Sequence, residues 1–526
     1  MSLALQNTFN SNTVSARQLR TSITWVLWFC IIMGFSGVVG LLMLRSGPDI
    51  SQIAWLFYLA GAIAILYEPR YGVYLLVFFT LVGDGVLIPW YPFAKNFSSP
   101  ESIFYLNNAI IINPLESYIV LTFLSWLGRG LMKRDLRFYG GEILLPALIF
   151  SAFIVFGLVY GISTGGVVNI ALWEFRPLFY LLAMIILTSN LIKTRAQVNH
   201  VMWAAVLAIF VVSLFGNHFF LVKLRGSLAG YSAITEHAAA IHMNALLVFM
   251  LGAWIYKASP AKRIVLPAMI PFVLLTYLAT QRRAAFLTLA IALVFVAILL
   301  YRENKRAFFL IVPPVAVLGI IYTLAFWNNG GALGLPAQAI KSMVAPNQAS
   351  AADLSSNLYR EIENVNTHFT IQQKPLTGVG FGQKFYIIVP LPDISFFSWW
   401  EYLPHNSIIW IWLKAGAGGF IAMLFFIGTA LIVGTRALWR MPPGDMSAIA
   451  LALLLYTIMH FIYAYVDISW DTQSMVFLGT AIGLLNVLED IVSRPEPQKR
   501  ARWPWQPNPA PAPALRPFPD SKPASG

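Results

Sequence analysis

Charge is what this sequence has least of. Of its 526 residues only 11% are Asp, Glu, Lys or Arg, while 58% are hydrophobic. A soluble globular chain carries about 25% charged residues. There is too little polar surface here to cover a globule in water, so the chain belongs in a bilayer. Cysteine is nearly absent as well. The one residue, Cys30, lies inside an apolar run, which excludes an intrachain disulfide and a thiolate metal site. The seven histidines are scattered, without HxxxH or HExxH spacing. A zinc site built from the protein alone is therefore not expected. Nor is nucleic acid a partner. The net charge of +13 resides mostly in short loops between apolar runs, where membrane topology accounts for it.

What the sequence does have is long apolar runs. About 20 apolar residues cross a bilayer as a helix. Fourteen segments are read this way: 23–44, 50–67, 71–88, 109–128, 142–163, 168–190, 198–216, 236–256, 264–280, 284–301, 307–327, 406–433, 446–466 and 472–488. The expected fold is all-α, a polytopic membrane protein with about 14 transmembrane helices. The first run is too long for a signal-peptide core and reads as an anchor. With the N-terminus inside, the basic loops alternate correctly. Arg70, the cluster Arg129/Lys133/Arg134/Arg137, Lys257/Lys262/Arg263, Arg302/Lys305/Arg306 and Arg436/Arg440 all fall inside, as the positive-inside rule requires. Both termini are then cytoplasmic.

The chain divides into a cytoplasmic segment 1–22, a bundle 23–327, one large periplasmic loop 328–405, a second bundle 406–490 and a Pro-rich, disordered tail 491–526. Within the loop, Leu354, Leu358, Ile362, Val365 and Phe369 recur at spacings of four and three. That spacing predicts an amphipathic helix, stopped by Pro375 and Gly378.

Some basic residues break the topology rule. Arg176 lies in WEFRPLFY, Arg225 in KLRGS, Arg282 and Arg283 in TQRRAAF, and Arg360 on the loop helix. All fall on the outer side. Singly, each reads as a headgroup contact or a partner for a neighbour such as Glu174 or Glu236. Together they point to a diphosphate pocket, because a guanidinium grips phosphate with a two-pronged fork. His405 stands where the loop re-enters the membrane, on the same face. A neutral imidazole there could take a proton from an attacking hydroxyl. Asn406 beside it could cap the following helix. The glycine stretch PLTGVGFGQKF, with Gly378, Gly380 and Gly382, has no strand–turn–helix unit around it. It is not a dinucleotide fingerprint and reads as a tight turn packing the loop on the bundle. Glu361, Glu363, Asp467 and Asp471 are outer-face carboxylates, but they form no clear double-displacement pair.

NLYREIENVNTHFTIQQKPLTGVGFG followed by PHNSIIWIWLKAGAGGF resembles the shared core of the bacterial O-antigen ligase and O-antigen polymerase superfamily. TQRRAAFLTLA resembles its outward arginine element. The resemblance covers about residues 170–440. It implies an inner-membrane glycosyltransferase that needs no cofactor or metal and whose donor is a glycan on undecaprenyl diphosphate. The acceptor would be another glycan or lipid A–core, with membrane lipids and other polysaccharide assembly proteins as further partners. Carried over, Arg176, Arg225, Arg282 or Arg283, and Arg360 would bind the diphosphate, with Arg283 preferred of the adjacent pair. His405 would activate the acceptor, and one direct attack would invert C1. Fourteen spans exceed the dozen typical of ligases, and Gln-Arg-Arg stands where Ser-Arg is common. The extra spans and the tail incline the reading towards a polymerase. The alternative is a lipid-linked oligosaccharide flippase or other transporter, which should show two related halves and a central polar cavity. No such halves are evident.

The topology is testable. In a Cys30→Ala background, a cysteine at Ser350 is expected to react with an impermeant thiol reagent from outside. Labelling from the cytoplasmic side alone would put the arginines and His405 in the wrong compartment.

Overall fold

Hydrocarbon offers no partner for a backbone N–H or C=O, so a chain this apolar must satisfy them internally, as helices do. The structure, a computed structural model, describes residue 33 and residues 50–494, apart from 89–90, 92, 94, 229–230, 232, 330, 349–350 and 393–398. The segment 1–22, the expected first span apart from residue 33, and the Pro-rich stretch from 495 lie outside the described residues.

Fifteen α-helices and no strands occur among the described residues. In order they are α1 (Ile50–Tyr67), α2 (Arg70–Val82), α3 (Pro114–Met132), α4 (Leu144–Ser163), α5 (Val168–Leu191), α6 (Arg195–His218), α7 (Ala239–Ile255) and α8 (Pro260–Ala279). Then follow α9 (Arg283–Glu303), α10 (Lys305–Ala325), α11 (Leu335–Val344), α12 (Ala351–Gln373), α13 (Ser407–Arg440), α14 (Asp445–Val466) and α15 (Thr472–Ser493). Each expected span from the second onward falls on a helix. Nine helices among the described residues are long and apolar enough to cross a membrane: α4–α6, α8–α10 and α13–α15. The chain is thus a multi-pass membrane protein. Helices α2 and α7, and the apolar part of α1, are shorter. Helix α2 stops at Val82, where the Asp84 carboxylate accepts the N–H groups of Val86 and Leu87 at 3.0 and 2.9 Å and turns the chain. Helix α3 starts late because Asn113 and Glu116 form a capping box ahead of it.

Helices α14 and α15 are the most buried of the spans, with α15 against α5 and α14 against α7. Helix α10 has no buried residue. The predicted loop helix is α12, but its apolar stripe faces the wrong way for core packing. Leu354, Leu358 and Val365 are exposed, whereas Glu363, Asn366, Thr367 and Thr370 are buried. The returning chain explains this. Asn366 Oδ1 accepts from the N–H groups of Ile388 and Val389 at 3.0 and 2.9 Å, and Thr370 Oγ1 accepts from Tyr386 N–H at 2.8 Å. A polar helix face satisfies an irregular strand of backbone that no helix or sheet would satisfy.

The glycine turn is wedged into the bundle, as its composition suggested. Helix α13 is broken at Gly416, whose φ is 69°. Leu413 O, near the break, accepts Val379 N–H at 2.7 Å, and Ala417 N–H donates to Pro375 O at 3.0 Å. The turn therefore supplies partners around the break. On its other side Phe381 N–H donates to Gly157 O of α4 at 3.1 Å. A Cβ on Gly380 would sit 2.3 Å from Gly161 Cα, and its φ of 90° is one few other residues adopt.

One ion pair locks this region. Lys414 Nζ of α13 lies 2.9 Å from Glu174 Oε1 of α5, with both side chains fully buried. Lys414 also donates to Gln383 O at 2.6 Å, and Gly382 N–H donates to Glu174 Oε2 at 2.6 Å. Lys414→Met would leave a buried carboxyl without its cation, at a cost of about 3–5 kcal/mol. Thermal unfolding of the purified protein should show a large drop for Lys414→Met and a substantial recovery in Lys414→Met/Glu174→Gln. A single variant as stable as the parent would remove the pair from this role.

Candidate functional site

At the loop-bearing end of the bundle is a cavity of about 720 Å³. Its polar wall includes Arg360, Glu363, His405 and Asn406, and its apolar wall includes Val365 and Ile388. Helix α12 brings the first pair together because positions three apart share a face. His405 is fixed twice by Glu363. Its backbone N–H donates to Glu363 Oε2 at 2.8 Å, and its ring Nδ1 lies 3.0 Å from the same oxygen. The Glu363 side chain is 1% exposed and that of His405 21%. The imidazole is therefore held by a buried carboxylate and still reaches the cavity. The edge of Tyr359 closes on the ring, with centroids 5.6 Å apart. Asn406 caps α13 by accepting Ile409 N–H at 3.1 Å. The His-Asn pair thus ends the loop and starts the span, and the two residues divide the work. One ring enters the cavity, and one amide organises the helix.

Beside this wall stands Asp467, just past the end of α14. Arg360 Nη2 is 3.9 Å from Asp467 Oδ2, and His237 Nδ1 is 2.9 Å from Asp467 Oδ1. Burial alone would raise this carboxyl, but His237, Arg360 and Arg282 together hold it well below the ordinary carboxylate range. Arg360 is far enough from Asp467 to keep donors free. Its Nε, and that of Arg282, are buried with no hydrogen-bond partner among the described residues.

The other arginines separate into classes. Arg283 Nη2 donates to Asn357 Oδ1 at 3.4 Å, and Asn357 lines the same cavity. So the adjacent pair turns one residue to α12 and the other to Asp467. Arg176 does not line His405's cavity. Its Nε pairs with Glu116 Oε1 at 3.4 Å, and its Nη groups donate to Ile111 O and Asn96 Oδ1 at 2.7 and 3.3 Å. Neither Glu174 nor Glu236 is its partner. Arg225 is exposed, in a left-handed turn with φ of 51°. Gly378, Gly380 and Gly382 lie in the wedged turn and hold the loop down rather than lining the cavity.

Three partnerships escape a reading of the sequence: Glu363 with His405, His237 with Asp467, and Lys414 with Glu174. The first joins residues 42 apart, and only the outer-face placement of both Glu363 and His405 pointed to it. The third had a general signal, because an ionisable residue inside an apolar span calls for a partner. The second joins residues 230 apart in the chain, and nothing local announces it.

A family model described as O-antigen ligase matches residues 266–424. No curated protein matches the chain. The matched segment runs from α8 to the first half of α13 and includes Arg282, Arg283, Arg360, Glu363, the glycine turn and His405. Arg176, Arg225, His237 and Asp467 lie outside it. With that match laid over the cavity and the turn beneath it, residues 266–424 are similar to the O-antigen ligase family.

Proposed function

We propose that the protein transfers a glycan from undecaprenyl diphosphate to an acceptor hydroxyl, on the outer face of the inner membrane. The observation that carries this reading is that the His405–Glu363 pair and Arg360 line the same cavity. Its apolar wall suits the lipid-proximal part of an amphiphile, and its arginine suits the diphosphate. The positive-inside distribution of Lys and Arg supports the outer face and cytoplasmic termini.

The chemistry needs little from the protein beyond positioning and charge. Glu363 accepts the His405 Nδ1–H, which leaves Nε2 unprotonated and directed to the acceptor. The acceptor hydroxyl gives its proton to Nε2 as its oxygen forms a bond to C1 of the donor sugar. The C1–O bond to the diphosphate breaks, and the electron pair leaves with the phosphate. Arg360, with Arg282 or Arg283, stabilises that developing charge through donors already in place. The proton on Nε2 then passes to solvent. One displacement inverts C1.

Whether the acceptor is a second lipid-linked repeat or lipid A–core is read from surface glycans after gene deletion. Single repeats without long chains mean a polymerase. Intact polymer absent from lipid A means a ligase.

His405→Ala should lower transfer from undecaprenyl-diphosphate glycan by about 10²–10⁴-fold, with normal membrane levels. Near-normal turnover in a purified assay would reduce His405 to a helix-entry residue.

The arginines give a second, graded test. Arg360→Lys keeps the charge but loses the fork, and a charge-assisted hydrogen bond is worth roughly 1.5–3 kcal/mol. Transfer should fall by about one to two powers of ten, while Arg225→Lys, on an exposed turn, should leave it unchanged. Equal activity of both variants would contradict a diphosphate at Arg360.

A further inference from the structure

A second cavity, of about 400 Å³, is built from the same two segments that border the first. Leu403 and Trp410 flank His405 in sequence, and Ile468, Trp470 and Asp471 follow Val466. Its chemistry differs from that of the first. Both cations in its lining are already committed: Arg176 to Glu116 and Lys95 to Glu101, the latter at 3.0 Å. A phosphate entering it would find no uncommitted cation among the described residues. What remains are acceptors, a donor and indole rings.

The acceptors are carboxyl groups with capacity to spare. Glu236 Oε1 accepts Gly85 N–H at 2.8 Å, and Oε2 accepts from Gln473 Nε2 at 3.0 Å. Asp471 Oδ1 accepts Ser474 N–H at 2.8 Å, and Oδ2 accepts from Ser474 Oγ at 3.0 Å. Each oxygen has a second lone pair. Burial first, then Asp84 and Asp471, pushes Glu236 up to about 8, so at neutral pH it can donate as well as accept. The donor is the indole N–H of Trp470. This side chain lines the cavity and is 5% exposed, and its N–H has no partner among the described residues. A buried donor left unpaired in a polar cavity is a position for a ligand oxygen. The platform is Trp173, 38% exposed and stacked on Trp399 with centroids 4.1 Å apart. Such a ring offers a flat apolar face at low entropic cost.

Flat apolar face, dense hydrogen-bonding edge and no counter-charge together describe the complement of an uncharged sugar ring. We propose that this second cavity binds a neutral glycosyl residue of the glycan. Its C–H face would lie on Trp173, its hydroxyls would bond Glu236 and Asp471, and one of its oxygens would accept the Trp470 N–H. This inference rests on the proposed function for the glycan, but not on His405. Diphosphate and sugar would then occupy two chemically distinct chambers, separated by the segments 403–410 and 466–471.

Saturation-transfer NMR on the full-length protein in lipid nanodiscs tests the site directly. The probes are free glucose, galactose and N-acetylglucosamine, with glucuronic acid as the anionic comparison. At least one neutral sugar should give a signal several-fold stronger than glucuronic acid. Trp470→Phe, which removes only the N–H, should weaken its binding about three- to tenfold, and Trp173→Ala should weaken it by at least as much. No signal from any neutral sugar, preference for glucuronic acid, or unchanged binding in both variants would overturn the site. His405→Ala separates the two claims. Sugar binding should survive in it while transfer is lost. If His405→Ala instead keeps transfer activity, the role of His405 falls and the sugar site stands.

Discussion

The buried Lys414–Glu174 pair is the interaction on which the rest of this architecture depends. Removing an ammonium and a carboxylate from water costs several kcal/mol each. A contact at 2.9 Å with both groups fully buried offsets that only because the remaining valences are used. Lys414 holds the Gln383 carbonyl, and Glu174 holds the Gly382 N–H. Two spanning helices and the end of the glycine turn are therefore tied at one point. The turn in turn repairs the break of α13 at Gly416. From there the chain returns over α12 and reaches His405. The imidazole's position is thus tied to a charge pair that does not line the His405 cavity.

The loop helix shows the same economy in another form. An amphipathic helix ordinarily buries its apolar stripe. Helix α12 buries Glu363, Asn366 and Thr370 and leaves Leu354, Leu358 and Val365 exposed. The polar face binds backbone, and it also binds the imidazole. The apolar face is left for the cavity wall and for whatever hydrocarbon approaches it. The inversion is what allows one helix to present Arg360 and a lipid-compatible surface together.

Much of this could be read from the chain in one dimension. Every described span lies on a helix, because apolar length and Lys/Arg placement are local properties. The loop helix ends ahead of Pro375, as its punctuation predicts. The turn packs tightly, as its glycines suggest. Geometry was less accessible. Spacing finds helix α12 but does not say which face is buried, because the competing partner is backbone at 385–389, which no periodicity reveals. Outward charge gathers five arginines, but only three-dimensional packing sorts them. Arg360, Arg282 and Arg283 stand near the cavity or Asp467, Arg176 is enclosed by Glu116 and Ile111 O, and Arg225 is exposed. His237 and Asp467 are distant in sequence and meet only because α7 and α14 pack together.

The position of the charge pair also bears on how the protein is made. Glu174 enters the membrane with α5, and its partner follows 240 residues later, in α13. Ribosomes add about 5–20 residues per second. The carboxyl therefore waits roughly 10–50 seconds in the company of the insertion machinery or lipid before its cation is synthesised. The glycine turn has nothing to wedge against until the same moment. Helices α4 and α5 are laid down early, yet they become part of a site only when the last third of the chain arrives. The ribosome, not the bilayer, sets the order in which this protein can become itself.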